Sequence, residues 1–165
     1  VTGRIEQVLK ALNDAGVRYL IAGGVAVVLH GYLRTTADLD LVVQLDEGNT
    51  LRAMDALSGL GYRPRAPVQA AQFADPAVRQ TWIDEKGMTV FSMWKSGDAA
   101  LEVDLFVAEP FDFDHVYAEA TEVQLDTTTA RVVPLRTLIE MKRKTGRPQD
   151  EADAAALEAL EDEAE

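Results

Sequence analysis

Asp38 and Asp40 are separated by a single residue in Asp38-Leu39-Asp40-Leu41. On an extended strand this spacing projects both carboxylates from one face and turns Leu39 and Leu41 to the other. Two like charges side by side repel, so such a pair sits either in water or around a divalent cation that makes the pairing favourable. Glu102 and Asp104 repeat the arrangement, alternating with Leu101, Val103 and Leu105. If the two strands are neighbours, three carboxylates converge. The chemistry that uses such a constellation is metal-assisted phosphoryl transfer, in which ions about 4 Å apart activate an attacking hydroxyl and neutralise a polyphosphate leaving group.

These acids must be positioned by an α/β scaffold. Ile5, Val8, Leu9 and Leu12 fall at helical spacing, and Asn13-Asp14-Ala15-Gly16 ends that run. Val17 to Ala22 reads as a strand, Gly23-Gly24 as a turn, and Val25 to His30 as a buried helix stopped by Gly31. The strand Asp38 to Leu45 is followed by a helix that Asp46-Glu47 caps and that closes near Leu60. Pro64, Pro67 and Pro76 break the stretch from Tyr62 to Lys86 into a short extended piece and a helix from Pro76 to Ile83. Met88 to Trp94 and Ala100 to Val107, joined by Lys95-Ser96-Gly97-Asp98, read as an antiparallel hairpin. A helix near Asp112 to Ala120 and a strand at Arg131 to Val133 come next. A helix introduced by Pro134 and ended by Gly146 follows, and then a last helix from Pro148. The expected fold class is α/β (α+β), with a central, mixed, mostly antiparallel sheet flanked by helices. One domain over 1–160 is expected, with an acidic, frayed terminus over 161–165.

Composition narrows the function. The net charge is −12, and eight acids without a lysine or arginine lie from Asp150 to Glu165. Arg131 to Arg147 forms a basic island containing only one acid, Glu140. An acidic chain is not expected to grip an extended nucleic-acid duplex. No apolar stretch reaches the ~20 residues of a membrane span, so no membrane contact is expected and a cytoplasmic location is the default. The absence of cysteine excludes disulfides, thiolate zinc sites and thiol nucleophiles, and two histidines cannot build a histidine-rich metal site. The acidic terminus reads as a solubilising tail, with nucleic-acid mimicry or docking on another subunit's basic island as the sharper alternatives.

Taken together, an apolar strand, Gly23-Gly24, thirteen intervening residues, Asp38-Leu39-Asp40-Leu41, and Asp104 within Leu-Glu-Val-Asp-Leu-Phe resemble the polymerase-β-like nucleotidyltransferases. The surrounding segments are similar to stand-alone bacterial members, including aminoglycoside and lincosamide nucleotidyltransferases and the toxins of type IV toxin–antitoxin systems. The resemblance implies the nucleotidyltransferase fold and transfer of a nucleoside monophosphate from an NTP donor to an acceptor hydroxyl, on an RNA end, a protein or a small molecule. It implies two Mg²⁺ or Mn²⁺ ions held by Asp38, Asp40 and Asp104. Glycine amides at Gly23 and Gly24 would reach the triphosphate, helped by Arg34, Thr35 and Thr36 and by Lys142 as a point charge. Arg147 and Asp150 would brace the Lys142 helix or contact the base. The partner expected is the NTP; a homodimer completing the cleft and a toxin–antitoxin partner stay open.

Plainer readings stand beside these. A glycine pair is usually a turn, and an Asp-x-Asp is common in edge strands. Glu102 reads as a solvated neighbour, His30 as a capping or packing residue, Lys142 equally as a solvated lysine, and Phe91, Met93, Trp82 and Trp94 as packing. The rival function is a catalytically silent nucleotide-binding or antitoxin-like regulatory module on the same fold. The converging acids argue against it, because a silent module has no electrostatic reason to keep them.

Overall fold

A computed structural model of the protein describes residues 2–97 and 101–164. The elements in order are α1 (Thr2–Asp14), β1 (Tyr19–Ala22), α2 (Gly23–Leu29), β2 (Asp38–Val43), α3 (Glu47–Gly59), β3 (Arg63–Pro64), a 3-10 turn (Ala70–Ala74) and α4 (Pro76–Lys86). They continue with β4 (Val90–Trp94), β5 (Glu102–Phe106), α5 (Phe113–Ala118), β6 (Thr121–Gln124), β7 (Thr129–Val132), α6 (Leu135–Thr145) and α7 (Pro148–Ala164). The seven strands form one sheet in the order β3-β4-β5-β2-β1-β7-β6. Its β2–β5 and β1–β7 pairs are parallel and the others antiparallel, which is the mixed, mostly antiparallel sheet expected.

Local chemistry explains where the helices begin and end. Asp46 accepts the Asn49 amide to start α3, and Asp75 accepts the Ala77 amide ahead of Pro76 to start α4. Gly87 and Gly146, both at positive φ, close α4 and α6. β1 is buried along its whole length, inside the sheet between β2 and β7. On β2 and β5 burial alternates: Leu39, Leu41, Val103 and Leu105 are fully buried, while Asp38, Asp40, Glu102 and Asp104 lie half-buried on the opposite face. Core packing therefore fixes which face the acids occupy, because a one-residue slip would bury all four carboxylates.

The structure departs from the sequence expectations in several places. α2 begins at Gly23 rather than at Val25. β6 was not expected; Thr121 and Val123 are half-buried and Glu122 and Gln124 exposed, the weak alternation of an edge strand. In the predicted hairpin turn Asp98 lies outside the described residues, as does Ala100 of the second strand. α7 runs to Ala164, and Glu161 within it pairs with Arg136. The acidic terminus is thus not a free tail. It lies along the basic helix of its own chain, where Arg143 meets Glu151 at 2.6 Å and Glu158 at 2.8 Å.

Candidate active site

The parallel pairing of β2 with β5 sets Asp38 opposite Glu102 and Asp40 opposite Asp104. Antiparallel pairing of β4 with β5 places Ser92 opposite Asp104, and the Ser92 hydroxyl donates to Asp104 Oδ1 at 2.6 Å. Across β1, Asp40 is paired with Ala22, the residue before Gly23. Four carboxylates therefore share one patch of the sheet face.

Their proximity is written in their proton affinities. Burial, together with the negative charges of Asp104 and Asp38, pushes the Asp40 carboxyl up to about 7, against the pull of Lys142 and Arg147. Asp104 is also raised, first by burial and then by Asp38 and Glu102, although the Ser92 hydrogen bond and Arg65 oppose this. Asp38 is raised by burial and by Glu102, with Arg65 again opposing.

The glycine pair is spent on close approach. Gly23 has φ +65°, and a Cβ there would lie 1.9 Å from Asp40 Oδ2. At Gly24 a Cβ would meet Arg34 Nη1 at 2.4 Å and Thr36 Oγ1 at 2.6 Å. Only residues without a side chain let Asp40, Arg34 and Thr36 lie directly against this backbone. Ala22, at the start of α2, supplies no side-chain cap, so no side chain of that residue covers the first amides. Thr35 and Thr36 also line an apolar cleft of about 300 Å³ between α1 and α2.

Lys142 is buried rather than solvated, with Nζ 3.0 Å from both Asp150 Oδ1 and Asp153 Oδ2. Asp150 also accepts from Thr145 Oγ1 at 2.6 Å and lies 3.1 Å from Arg147 Nε, which is how Arg147 and Asp150 brace the α6–α7 corner. These partners hold the Asp150 carboxyl below its usual range in spite of its burial. Asp153 is fully buried and reaches Arg34 Nε at 3.5 Å. A buried network thus joins Arg34, behind Gly24, to Lys142, whose charge is felt at Asp40.

Residues 4–157 match the family model described as aminoglycoside-2''-adenylyltransferase. The chain belongs to that family. It is accordingly a nucleotidyltransferase enzyme, and its fold is that of known nucleotidyltransferases. The crystal structure of the lincosamide antibiotic adenylyltransferase LnuA, bound to lincomycin, is similar with a TM-score of 0.62 at 13% identity, over 97% of this chain and 98% of that one. The crystal structure of ANT(2'')-Ia with adenylyl-2''-tobramycin is similar with a TM-score of 0.55 at 15% identity, over 96% of this chain and 92% of that one. A solution structure of ANT(2'')-Ia gives 0.55 at 15% identity over 94% and 86%. A comparison with curated protein sequences gives no match.

In this adenylyltransferase-family chain the strand register brings Asp38, Asp40 and Asp104 together, with Gly23, Gly24, Arg34, Thr36 and Lys142 on the β1 side. The carboxylates do not yet form a cage: among the described residues no three acidic or histidine side chains are already arranged to hold a metal ion. Ser92 draws the Asp104 carboxylate toward β4. Three neighbours went unread in the sequence. Ser92 could have been found by pairing β4 with β5 and asking what faces Asp104. Asp153 was hidden in the acidic run, where only its spacing of three from Asp150 on one helix face sets it apart. Arg65 sits in the proline-broken stretch, which offers no periodicity to place it.

Trp94 departs from its reading as packing. It is 37% exposed, whereas Trp82 is buried against Phe91, with ring centroids 5.2 Å apart. His30 behaves as read, capping α2 and bonding through Nε2 to the Val133 carbonyl at 2.8 Å.

Proposed function

We propose that the chain transfers the adenylyl group of ATP to a hydroxyl of a small cationic acceptor, with divalent metal ions held by Asp38, Asp40 and Asp104. The observation that carries this reading is the Asp40–Asp104 register, with the Asp40 carboxylate lying against Gly23. The donor set fits a divalent cation. It consists of hard oxygen ligands whose proton affinities are raised by burial first and by neighbouring carboxylates second, Glu102 included, and a 2+ ion lying between them would offset both. When bound, Mg²⁺ or Mn²⁺ would lower the proton affinity of the attacking hydroxyl and neutralise charge on the triphosphate.

The protein's own groups have separable tasks in this proposal. The Gly23 and Gly24 backbone lets phosphate oxygens come close, while Arg34, Thr36 and Lys142 supply donors and positive charge there. Ser92 holds Asp104 in place. Arg147 and Asp150 keep Lys142 at its station. The acceptor assignment rests on the family, whose description names an aminoglycoside, on tobramycin in the ANT(2'')-Ia structure, and on a net charge of −12 that favours cationic ligands.

The test is incubation with α-labelled ATP, GTP, CTP or UTP, Mg²⁺ or Mn²⁺, and separate pools of aminoglycosides, neutral sugars, RNA and protein. Label from ATP is expected on an aminoglycoside hydroxyl, with pyrophosphate released, and neither Asp38→Ala nor Asp40→Ala should transfer it. Undiminished transfer by both variants overturns the site assignment; transfer to RNA or protein alone overturns the acceptor assignment.

A further inference from the structure

The acid patch has two unlike flanks. On the β1 side of Asp40 stand Gly23, Gly24, Arg34 and Lys142, a cationic flank of close backbone approach. On the far side, beyond Asp104, the β4–β5 ladder runs from Ser92 opposite Asp104 to Met93 opposite Val103; Trp94 follows Met93 on β4, on the face of Ser92, and Glu102 precedes Val103 on β5, opposite Asp38. This second flank is a row of one ring and two carboxylates on the same face of the sheet. A polyanionic triphosphate is drawn to the first flank and repelled by the second.

One cation already occupies the second flank, and it belongs to the chain. Arg65, whose backbone N–H donates to the Ser92 carbonyl at 3.0 Å, reaches across so that its Nε lies 2.7 Å from Glu102 Oε1. Its Cζ lies 5.0 Å from the centre of the Trp94 ring. The guanidinium thus uses a carboxylate and an aromatic face at once, the pair of partners that recognises organic cations. The contact is open to water, with the Arg65 side chain 51% exposed, and an exposed ion pair of this kind adds little to folding. It can therefore be exchanged for another cation at small cost.

From this we infer that Glu102 and Trp94 form the subsite for an ammonium group of the acceptor, and that Arg65 is a stand-in cation which the acceptor displaces. The inference rests on the proposed function and deepens it by naming where the acceptor is gripped. An ammonium seated between Glu102 and Trp94 leaves the rest of a polyhydroxylated molecule to extend over Asp38 and Asp104, two of the acids proposed to hold the metal ions. Arg65 then sets specificity by competition: acceptors with an ammonium replace it, and neutral sugars do not.

The experiment is calorimetric titration of tobramycin, without nucleotide, into the wild-type chain and into Arg65→Gln, Arg65→Lys and Glu102→Gln, alongside titration of ATP into each. Removing the competitor in Arg65→Gln should tighten tobramycin binding about 5-fold, Arg65→Lys should stay near wild type, and Glu102→Gln should weaken it about 10-fold. ATP binding should change less than about 2-fold in all three, because none lies on the cationic flank. Weaker or unchanged tobramycin binding in Arg65→Gln overturns the stand-in role, and unchanged binding in Glu102→Gln overturns the subsite. If the wild-type chain transfers label from ATP while these variants bind tobramycin alike, the subsite fails and the proposed function stands. If the wild-type chain neither transfers label nor binds tobramycin, both fail together.

Discussion

Replacing Asp40 by Asn should make the metal-free protein more stable at alkaline pH. In the folded chain the Asp40 carboxyl is pushed up to about 7 from its ordinary 3.8, by burial and by Asp104 and Asp38. For an acid with a raised value, the folded state keeps the proton where the unfolded chain has released it. Stability is then fully present below 3.8 and is lost as pH rises, until the loss saturates above about 7. At about 1.36 kcal/mol per pKa unit, the ionised carboxylate costs the fold up to about 4 kcal/mol at pH 8, and less than about 2 kcal/mol at pH 5. Asp40→Asn removes the titration while keeping the shape. In chelator at pH 8 the variant should melt higher by up to about 8–16 °C, at ~2–4 °C per kcal/mol for a chain of this size, and the gap should narrow by more than half at pH 5. Adding Mg²⁺ at pH 8 should raise the melting point of the wild type and leave that of the variant unmoved. Thermal melts at the two pH values, with and without metal, make the measurement. A variant no more stable than wild type at pH 8, or equally favoured at both pH values, would refute the electrostatic argument.

Two further predictions concern the scaffold of the site. Gly23→Ala meets both the left-handed backbone at φ +65° and Asp40 Oδ2 at 1.9 Å, so it should lose more than about 2 kcal/mol in urea denaturation; adding Asp40→Ala should recover the part owed to the clash. Lys142→Met leaves Oδ2 of the fully buried Asp153 without a partner, since Arg34 and Gln149 reach only Oδ1; this should cost about 3 kcal/mol in the same assay, and a second change, Asp153→Asn, should return most of it.

What the sequence made legible follows from how local each signal is. The helices carried periodic apolar faces and marked ends, such as Asp46 before α3 and Gly146 after α6, and they appear where expected within a few residues. The Asp-x-Asp pair was legible because strand alternation alone decides which way its side chains point. Its partnership with Asp104 depended on a parallel β2–β5 pairing between strands some sixty residues apart, which nothing local reports. The basic island and the acidic run were each visible, but their mutual pairing was not. Composition gives the charges of α6 and α7, and only their antiparallel packing says that each neutralises the other. Arg65 and Trp94 were the hardest to place, because a two-residue edge strand, β3, has too little pattern to announce itself.

The acids owe their unusual chemistry to the glycine beside them. Because Gly23 has no side chain and takes a left-handed backbone, the Asp40 carboxylate can lie against the chain instead of in water. Loss of that water, more than any neighbouring charge, is the largest cause of its raised proton affinity. A carboxylate that binds its proton too tightly is one whose charge lacks a partner, and the lack is what a divalent cation satisfies. The same contact therefore destabilises the fold at high pH and, under the proposed function, would be turned to stabilisation by a bound divalent ion. The lysine and arginine that face Asp40 from α6 and the α6–α7 corner offset only part of the deficit, since Lys142 is already shared between Asp150 and Asp153 and Arg147 pairs with Asp150. Had they offset it fully, the site would have no use for a metal ion. Gly23, read first as a turn, is by this reasoning the residue that sets the electrostatics of the proposed catalytic centre.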